Sequence, residues 1–400
     1  MTNYKTIYLK RGKEDSLRRF HPWVFSGAIS HADKDISDGE IVRVMYQDKD
    51  SGTYSFIAVG YYESGTIAVR VLSFHDVEIN AAFWENRLYS ALKMRQGLDL
   101  VDNIQNNTYR LVHGEGDNLS GLIIDCYGQT AVIQAHTVGI HLHCHEICDA
   151  LVKVMDGRIR NIYYKSETTL HFGDELGEKD GFVYGGSEDN VAMENGLKFH
   201  IDWLKGQKTG FFVDQRDNRS LLEHYAKGRS VLNMFCYTGG FSVYAMRGGA
   251  KLVHSVDSSA KAIDLVNANV DLNFPDDKRH EAFCDDAFNY LNESGDKYDL
   301  IVLDPPAFAK RRSALKRALN GYIHLNKKGF ERIKSGGILF TFSCSQAVNK
   351  DQFRAAVFTA AAQTGRKVRI LHQLHQPADH PINIYHPEGE YLKGLVLYVE

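Results

Sequence analysis

The sequence lacks the features that would tie a chain to a membrane or to an oxidising compartment. No uninterrupted apolar run is long enough to span a bilayer. The stretch Met1 to Lys10 is polar and has no apolar segment of the kind a signal peptide needs. Only 6 cysteines occur in 400 residues, at no framework spacing. That argues against a disulfide scaffold and fits a reducing cytosol, so the expected location is cytoplasmic. The formal net charge is -3, so the whole chain carries no basic signature and any nucleic-acid surface must be local. No G-x-G-x-x-G spacing stands at the glycine turn described below, so nothing there is built to hug a pyrophosphate. What remains is ordinary globular composition, 44% hydrophobic and 24% charged, over a length that suits two or three domains.

Residues 1–74 alternate strand-like runs (Ile41 to Tyr46, Ser55 to Tyr62, Thr66 to Leu72) with turns such as Ser37-Asp38-Gly39 and Ser51-Gly52. The pattern predicts a small β-rich barrel or sandwich. At its front Lys5, Lys10, Arg11, Lys13, Arg18 and Arg19 interleave with Phe20, Trp23 and Phe25. Such a mixture suits phosphate contacts and base stacking; the alternative is a solvated, charged edge strand. Residues 75–190 mix helical spacing (Ala81 to Gln96, Ile140 to Met155) with strand-like runs, giving a central α+β domain. Its cluster His141, His143, Cys144, His145 and Cys148 is of zinc-ligating type, but a helix spreads these residues over several faces. No second ligand group lies at finger spacing, so no metal is expected and partly buried packing is the better reading.

Residues 191–400 repeat strand and helix in the manner of a doubly wound α/β domain. Its centre is Ser230 to Asp257. An apolar run, Val231 to Phe235, breaks into the turn Cys236-Tyr237-Thr238-Gly239-Gly240; a helical pattern follows, then a second apolar run ending on Asp257. That is one βαβ unit. Its glycines let backbone approach a ligand at the strand's carboxyl end, and Asp257 is placed to accept from two ribose hydroxyls. Without a pyrophosphate grip, S-adenosylmethionine fits better than a nicotinamide dinucleotide; the bland alternative is a βα turn with no ligand. Before this unit, Lys205 to Arg219 is a loop dense in Lys, Arg, Gln and Gly with the pair Phe211-Phe212. It is read either as a cover for an adenine face or as an exposed basic loop ahead of a helix.

Further strand-like runs end on Asp285-Asp286, on Asp304 and on Ser343-Cys344-Ser345. Open α/β sheets bind ligands beyond the carboxyl ends of their strands, so these tips should converge on one crevice. Asp304 runs into Pro305-Pro306-Ala307-Phe308, where two prolines hold the chain rigid beside an acid. That arrangement suits a planar base whose amine or ring N–H the acid accepts. A thiolate at Cys344 would be a strong nucleophile beside the same crevice. Carbon 5 of a pyrimidine needs such help, because attack at carbon 6 first makes carbon 5 electron-rich. The alternative for a lone cysteine is a small buried hydrophobe, the reading kept for Cys236.

The ordered set of these motifs resembles the bacterial 23S ribosomal RNA cytosine-5 methyltransferases, which join a PUA domain, a central α+β domain and a class I methyltransferase domain. The resemblance covers nearly the whole chain. It rests on HPWVFSGAI (His21 to Ile29), GEGDNLSGLIIDCYG (Gly114 to Gly128), KTGFFVDQRDNR (Lys208 to Arg219), LNMFCYTGGFS (Leu232 to Ser242), LDPPAFAK (Leu303 to Lys310), FSCS (Phe342 to Ser345) and ADHPINIYHPEGEYLKG (Ala378 to Gly394). It implies S-adenosylmethionine held at Phe235, Tyr237, Thr238, Gly239, Gly240, Asp257, Ser258, Asp286, Ala287 and Asp304, with Cys344 as nucleophile and Asp304 beside it in the catalytic set. It places the adenine amine on Asp286, not Asp285, because Asp286 directly precedes Ala287. Phe212 and Gln215 carry over from a loop said to close on the cofactor.

The expected activity is therefore formation of 5-methylcytosine in 23S ribosomal RNA, with Glu388 and Glu390 as candidates for the proton acceptor. Rival readings are an RNA methyltransferase acting on another base or on nitrogen, and an RNA-binding protein with a relict cofactor pocket. A dehydrogenase is disfavoured by the missing fingerprint. The sequence selects neither the nucleotide, nor free RNA over an assembled particle, nor an oligomeric state.

Overall fold

The computed structural model describes residues 3–170, 179–187, 189–293, 298–309 and 311–400; Lys310, the end of the LDPPAFAK motif, lies outside them. By its internal contacts the chain divides into two compact units, each built from more than one segment.

The first unit comprises Met1–Asn190, Ile201–Phe211 and Ala378–Gly389. Alternating apolar residues pair its early strands into one sheet. These are β1 (Lys5–Leu9), β2 (Trp23–Phe25), β3 (Ile29–Ala32), β4 (Ile41–Gln47), β5 (Tyr54–Tyr62) and β6 (Ile67–Ser73), in the order β2-β6-β5-β4-β1-β3. This is a single six-stranded sheet, not the two facing sheets of a sandwich. Ile7, Val42, Val44, Val69 and Val71 form its core. Of the charged front, Lys5 lies on the inner strand β1, between β3 and β4, whereas Trp23 and Phe25 lie on β2 at the edge of the sheet. Lys5 pairs with Glu40 at 3.1 Å and Lys10 donates to the Gly27 carbonyl at 3.0 Å. The short helix α1 (Asp15–Arg18) puts the Arg18 guanidinium over the Tyr46 ring, 4.5 Å from its centre.

Helix α2 (Ala81–Gly97) follows, capped by the Asn80 side chain. Strands β7 (Thr108–His113), β8 (Leu122–Tyr127), β9 (Thr130–Ala135), β10 (Asn161–Tyr164) and β11 (Gly181–Tyr184) make a second sheet in the order β11-β10-β9-β8-β7. The single helix expected over 140–155 is two, α3 (Val138–Leu142) and α4 (Cys144–Met155), broken at His143. That residue leaves helical backbone (ψ 10), packs its ring 5.5 Å from Trp84 and sets Nδ1 3.3 Å from Glu146. The neighbouring His141 ring is 2.5 Å from the Tyr164 hydroxyl, and the Cys144 and Cys148 sulfurs lie 3.9 Å apart. These groups are taken up by packing. Among the described residues no group of three His, Cys, Asp or Glu could hold a metal.

Buried charge stitches this unit together. Arg95, fully buried, grips both carboxylate oxygens of Asp117 and donates to the Asp379 carbonyl at 2.7 Å. Asp379 accepts from the Arg110 backbone at 2.9 Å. The Arg110 side chain pairs with both oxygens of Asp125 at 2.7 and 2.8 Å, and Asp125 also accepts from the Thr209 hydroxyl at 2.7 Å. Segments distant in the chain are thereby fixed on the central sheet. Gly116 must be glycine for that: a Cβ there would stand 2.0 Å from the Pro381 carbonyl oxygen.

The second unit comprises Val191–His200, Phe212–Pro377 and Glu390–Glu400. It opens with the hairpin β12 (Val191–Glu194) and β13 (Leu197–His200), turned at Asn195-Gly196. Its main sheet holds β14 (Ser230–Met234), β15 (Leu252–Asp257), β16 (His280–Cys284), β17 (Tyr298–Leu303), β18 (Ile333–Ser343), β19 (Val368–Leu374) and β20 (Lys393–Val399), in the order β16-β15-β14-β17-β18-β20-β19. Strands β14 to β18 are parallel, and β20 runs antiparallel between β18 and β19. Strand order reverses at β14, the switch point where such sheets bind ligands. The helices are α5 (Arg216–Ala226), α6 (Gly240–Arg247), α7 (Ala260–Asn273), α8 (Ala287–Glu293), α9 (Leu315–Arg332) and α10 (Lys350–Thr364). Helix α9 has no counterpart in the sequence reading. It buries Ala318, Tyr322, Leu325 and Phe330 at helical spacing among many charges.

Candidate cofactor and catalytic site

One transverse row of paired residues, Phe283–Val256–Met234–Leu303–Thr341, crosses the five parallel strands. The chemistry begins one residue beyond it, with Asp257, Phe235 and Asp304 at the tips of adjacent strands. Strand spacing of about 4.8 Å puts these tips within the span of one small molecule.

The turn after β14 is bent by three successive departures from ordinary backbone. Phe235 (φ 58), Tyr237 (φ 45) and Gly239 (φ 76) are all left-handed. For the two aromatic residues that conformation is strained and must be held by its surroundings. Holding it are Cys236 N–H to the Val256 carbonyl (3.1 Å), Gly239 N–H to the Cys236 carbonyl (2.7 Å), and the Asn269 amide to the Thr238 carbonyl (2.8 Å). A side chain at Gly239 would also stand 3.0 Å from Val266. Asp257 joins the turn to the next strand: one oxygen accepts from Tyr237 N–H at 3.1 Å, the other from Ser259 N–H at 3.0 Å. Both bonds orient the carboxylate, and each oxygen keeps a lone pair. Ser258 is exposed beside it.

Asp286 is exposed beyond β16. Its Oδ1 accepts from the Phe288 and Asn289 amides at 2.8 and 3.2 Å, capping α8, whose first residue Ala287 is buried. Asp285 turns instead to the Asp286 amide, at 2.7 Å.

The loop before α5 packs on the same turn. The Phe212 ring meets the edge of Tyr237, centres 5.1 Å apart, and the Gln215 amide donates to Asp304 Oδ2 at 3.0 Å. Tyr391 donates to Asp214 at 2.7 Å. The stretch is exposed at Lys205, Gln207 and Lys208, as the basic-loop reading allows, and buried from Thr209 to Phe211; the arginines at the start of α5, Arg216 and Arg219, are buried. Arg219 pairs with both oxygens of Glu194 at 2.9 and 2.7 Å and donates to the Phe212 carbonyl at 3.0 Å. Its carbons lie where a Cβ on Gly240 would fall, 2.9 Å away.

Cys344 follows β18 and is half-buried, its Sγ 4.0 Å from the Pro305 carbonyl of the Asp-Pro-Pro segment. The thiol therefore lies against the backbone of the Asp-Pro-Pro segment, which follows the adjacent strand β17. Cys236 differs: it is buried and burial pushes its thiol well above the ordinary range, with Asp257 adding to the effect, so it packs. Sequence reasoning missed two neighbours of Cys344. Tyr322 of α9 accepts from the Ser343 hydroxyl at 2.8 Å, and burial raises its phenol to about 12. Lys393 donates to the Ser345 carbonyl at 2.7 Å; the sign of it in the sequence is a lysine set among Leu392, Gly394 and Leu395. Of the candidate proton acceptors, Glu390 pairs with Lys350, and Glu388 belongs to the first unit, 3.5 Å from His21.

The residues present fit S-adenosylmethionine. The crevice is lined by carboxylates, and the guanidinium nearest the turn is neutralised by Glu194, which suits a sulfonium and a ribose better than a phosphate.

Comparison with known proteins agrees. Residues 185–388 match the S-adenosylmethionine-dependent methyltransferase family model, and residues 7–74 match a PUA-like domain. Ribosomal RNA large subunit methyltransferase I of Tolumonas auensis is 40% identical, with 98% of each chain covered. The protein of the same name from Aeromonas hydrophila is also 40% identical at 98% coverage of both chains. A solved candidate SAM-dependent methyltransferase from Streptococcus mutans shares the fold at a TM-score of 0.83 and 23% identity, over 98% of this chain and 99% of that one. A further solved methyltransferase structure, complexed with SAH, matches at a TM-score of 0.84. Carboxylate tips around a strained turn, a PUA-like module and full-length kinship thus converge: the chain belongs to the S-adenosylmethionine-dependent methyltransferase family that includes ribosomal RNA large subunit methyltransferase I.

Proposed function

We propose that the protein methylates carbon 5 of a cytosine in 23S ribosomal RNA through a covalent adduct with Cys344. The observation that carries this reading is the half-buried thiol lying 4.0 Å from the Pro305 carbonyl, one strand from Asp304. A nitrogen methylation would need no thiol at that place.

Bound S-adenosylmethionine supplies an electrophilic methyl group on a sulfonium. Asp257 accepts from the ribose hydroxyls, and Asp286 accepts from the adenine amine through the oxygen not used in capping. The turn Phe235 to Gly240 shapes the floor, and Phe212 and Gln215 cover it. On the RNA side, Asp304 accepts from the cytosine amine while Pro305 and Pro306 wall the ring. Cys344 as thiolate adds to carbon 6, leaving carbon 5 electron-rich. After carbon 5 has taken the methyl group and given its proton to a general base, with Glu390 and Glu388 as the candidates, the sulfur–carbon bond breaks and the thiolate returns. Residues 1–74 serve as the RNA-binding module and 75–190 as a central domain; of residues 191–400, read from sequence as one catalytic domain, Val191–His200, Phe212–Pro377 and Glu390–Glu400 form the catalytic unit, while Ile201–Phe211 and Ala378–Gly389 belong to the first unit. On this reading the protein works in the cytoplasm, where its free thiols stay reduced.

The test is transfer of labelled methyl groups to unmodified large-subunit RNA, followed by nucleoside analysis of the product. Cys344→Ala is expected to abolish turnover while S-adenosylmethionine binding persists. A Cys344→Ala protein that still forms 5-methylcytosine would remove the covalent mechanism, and a methylated nitrogen would replace the reaction.

A further inference from the structure

Lys393 opens β20 directly opposite Ser343, the last residue of β18. It is 5% exposed, and among the described residues its Nζ makes one hydrogen bond, to the Ser345 carbonyl at 2.7 Å. Ser343 and Ser345 flank Cys344, so the amine is held against the backbone that carries the thiol. Ser345 is itself anchored, its hydroxyl donating to the Ala309 carbonyl at 2.5 Å.

A buried ammonium normally has a carboxylate for company. The acid in range here is Glu390, and it is already paired with Lys350. The other anion-forming group that acts on the amine is Cys344. Charged and titratable groups around the lysine are thus Cys344, Glu390 and Lys350, with Asp351, Arg354 and His375 lining a cavity of about 150 Å³ that Lys393 borders.

We propose that Lys393 is the positioning residue that activates Cys344. The neutral amine takes the thiol proton: the S–H bond breaks, an N–H bond forms, and the ammonium remains beside the thiolate as its counter-ion. Burial lowers the amine to about 8, against the opposing pull of Cys344 and Glu390. The inference rests on Cys344 being the nucleophile, but its test does not require methyl transfer.

The test is the rate at which iodoacetamide alkylates Cys344 in the full chain, read by peptide mass spectrometry as a function of pH, without RNA. Peptide resolution separates Cys344 from the exposed Cys284. Lys393→Met is expected to move the Cys344 profile to higher pH and to slow alkylation at pH 7 about tenfold, the change in thiolate for one pKa unit. Lys393→Arg, which keeps the cation, is expected to stay within about threefold of the native rate. S-adenosylmethionine binding and the melting temperature report whether each variant is folded. A folded Lys393→Met protein with the native alkylation profile would overturn the proposal, because a purely structural lysine changes stability without moving that profile. Failure of the wider catalytic reading would show separately, as methyl transfer by Cys344→Ala.

Discussion

In the first unit Arg95 lies fully buried with Asp117 and the Asp379 carbonyl on its donors, and Arg110 is locked to both oxygens of Asp125. In the second unit Asp257 and Asp286 stand at strand tips, partly or fully exposed, bonded to backbone amides and with acceptor capacity left over. The difference separates charge that builds from charge that binds. A buried ion pair is costly to strip of one partner and has nothing to offer a ligand. An oriented acid at a sheet edge contributes little to stability and can accept from a ligand without breaking anything.

That contrast can be broken by experiment. The largest effect is expected from Arg95→Met, which strands Asp117 in the interior; urea unfolding should show a loss of about 3–5 kcal/mol. Asp257→Ala should behave the other way. Calorimetric titration should show S-adenosylmethionine binding weakened by about 1.5–3 kcal/mol, with a much smaller change in urea midpoint. If Asp257→Ala unfolds as readily as Arg95→Met, the division between the two kinds of charge is wrong. The smallest effect is expected from Gly239→Ala, about 1–2 kcal/mol of stability from left-handed backbone. Because Val266 also crowds that position, cofactor affinity should fall with it, and an unchanged affinity would show that the turn is not the cradle.

The catalytic unit was the more readable half, for a physical reason. Its central strands β14, β15, β17 and β18 are largely buried and read as apolar runs, and two of them are marked at their tips by Asp257 and Asp304. Both ends of helix α10 are locally encoded: Asn349 and Gln352 form a reciprocal cap, and Gly365 closes it in left-handed backbone (φ 66). Helix α9 was missed because its apolar positions are diluted by Lys and Arg, so no run stands out. The break at His143 depends on Trp84, far away in sequence. The grip of Arg95 and Arg110 on Asp379 joins residues separated by 284 and 269 positions, and nothing local signals it. Lys393 was visible only as a letter in a motif; its meaning comes from the strand across from it.

The placement of β20 has a consequence for how the protein comes into being. Strand β19 touches the sheet only through β20, and β20 carries Lys393 to its seat opposite Ser343. A growing polypeptide that has not yet reached Lys393 can pair β14 to β18 but leaves β18 with a bare edge and Cys344 without its amine. Chains fold progressively as they emerge from the ribosome. On the proposed role of Lys393, the thiol of Cys344 is armed only once β20 has been made and has paired with β18.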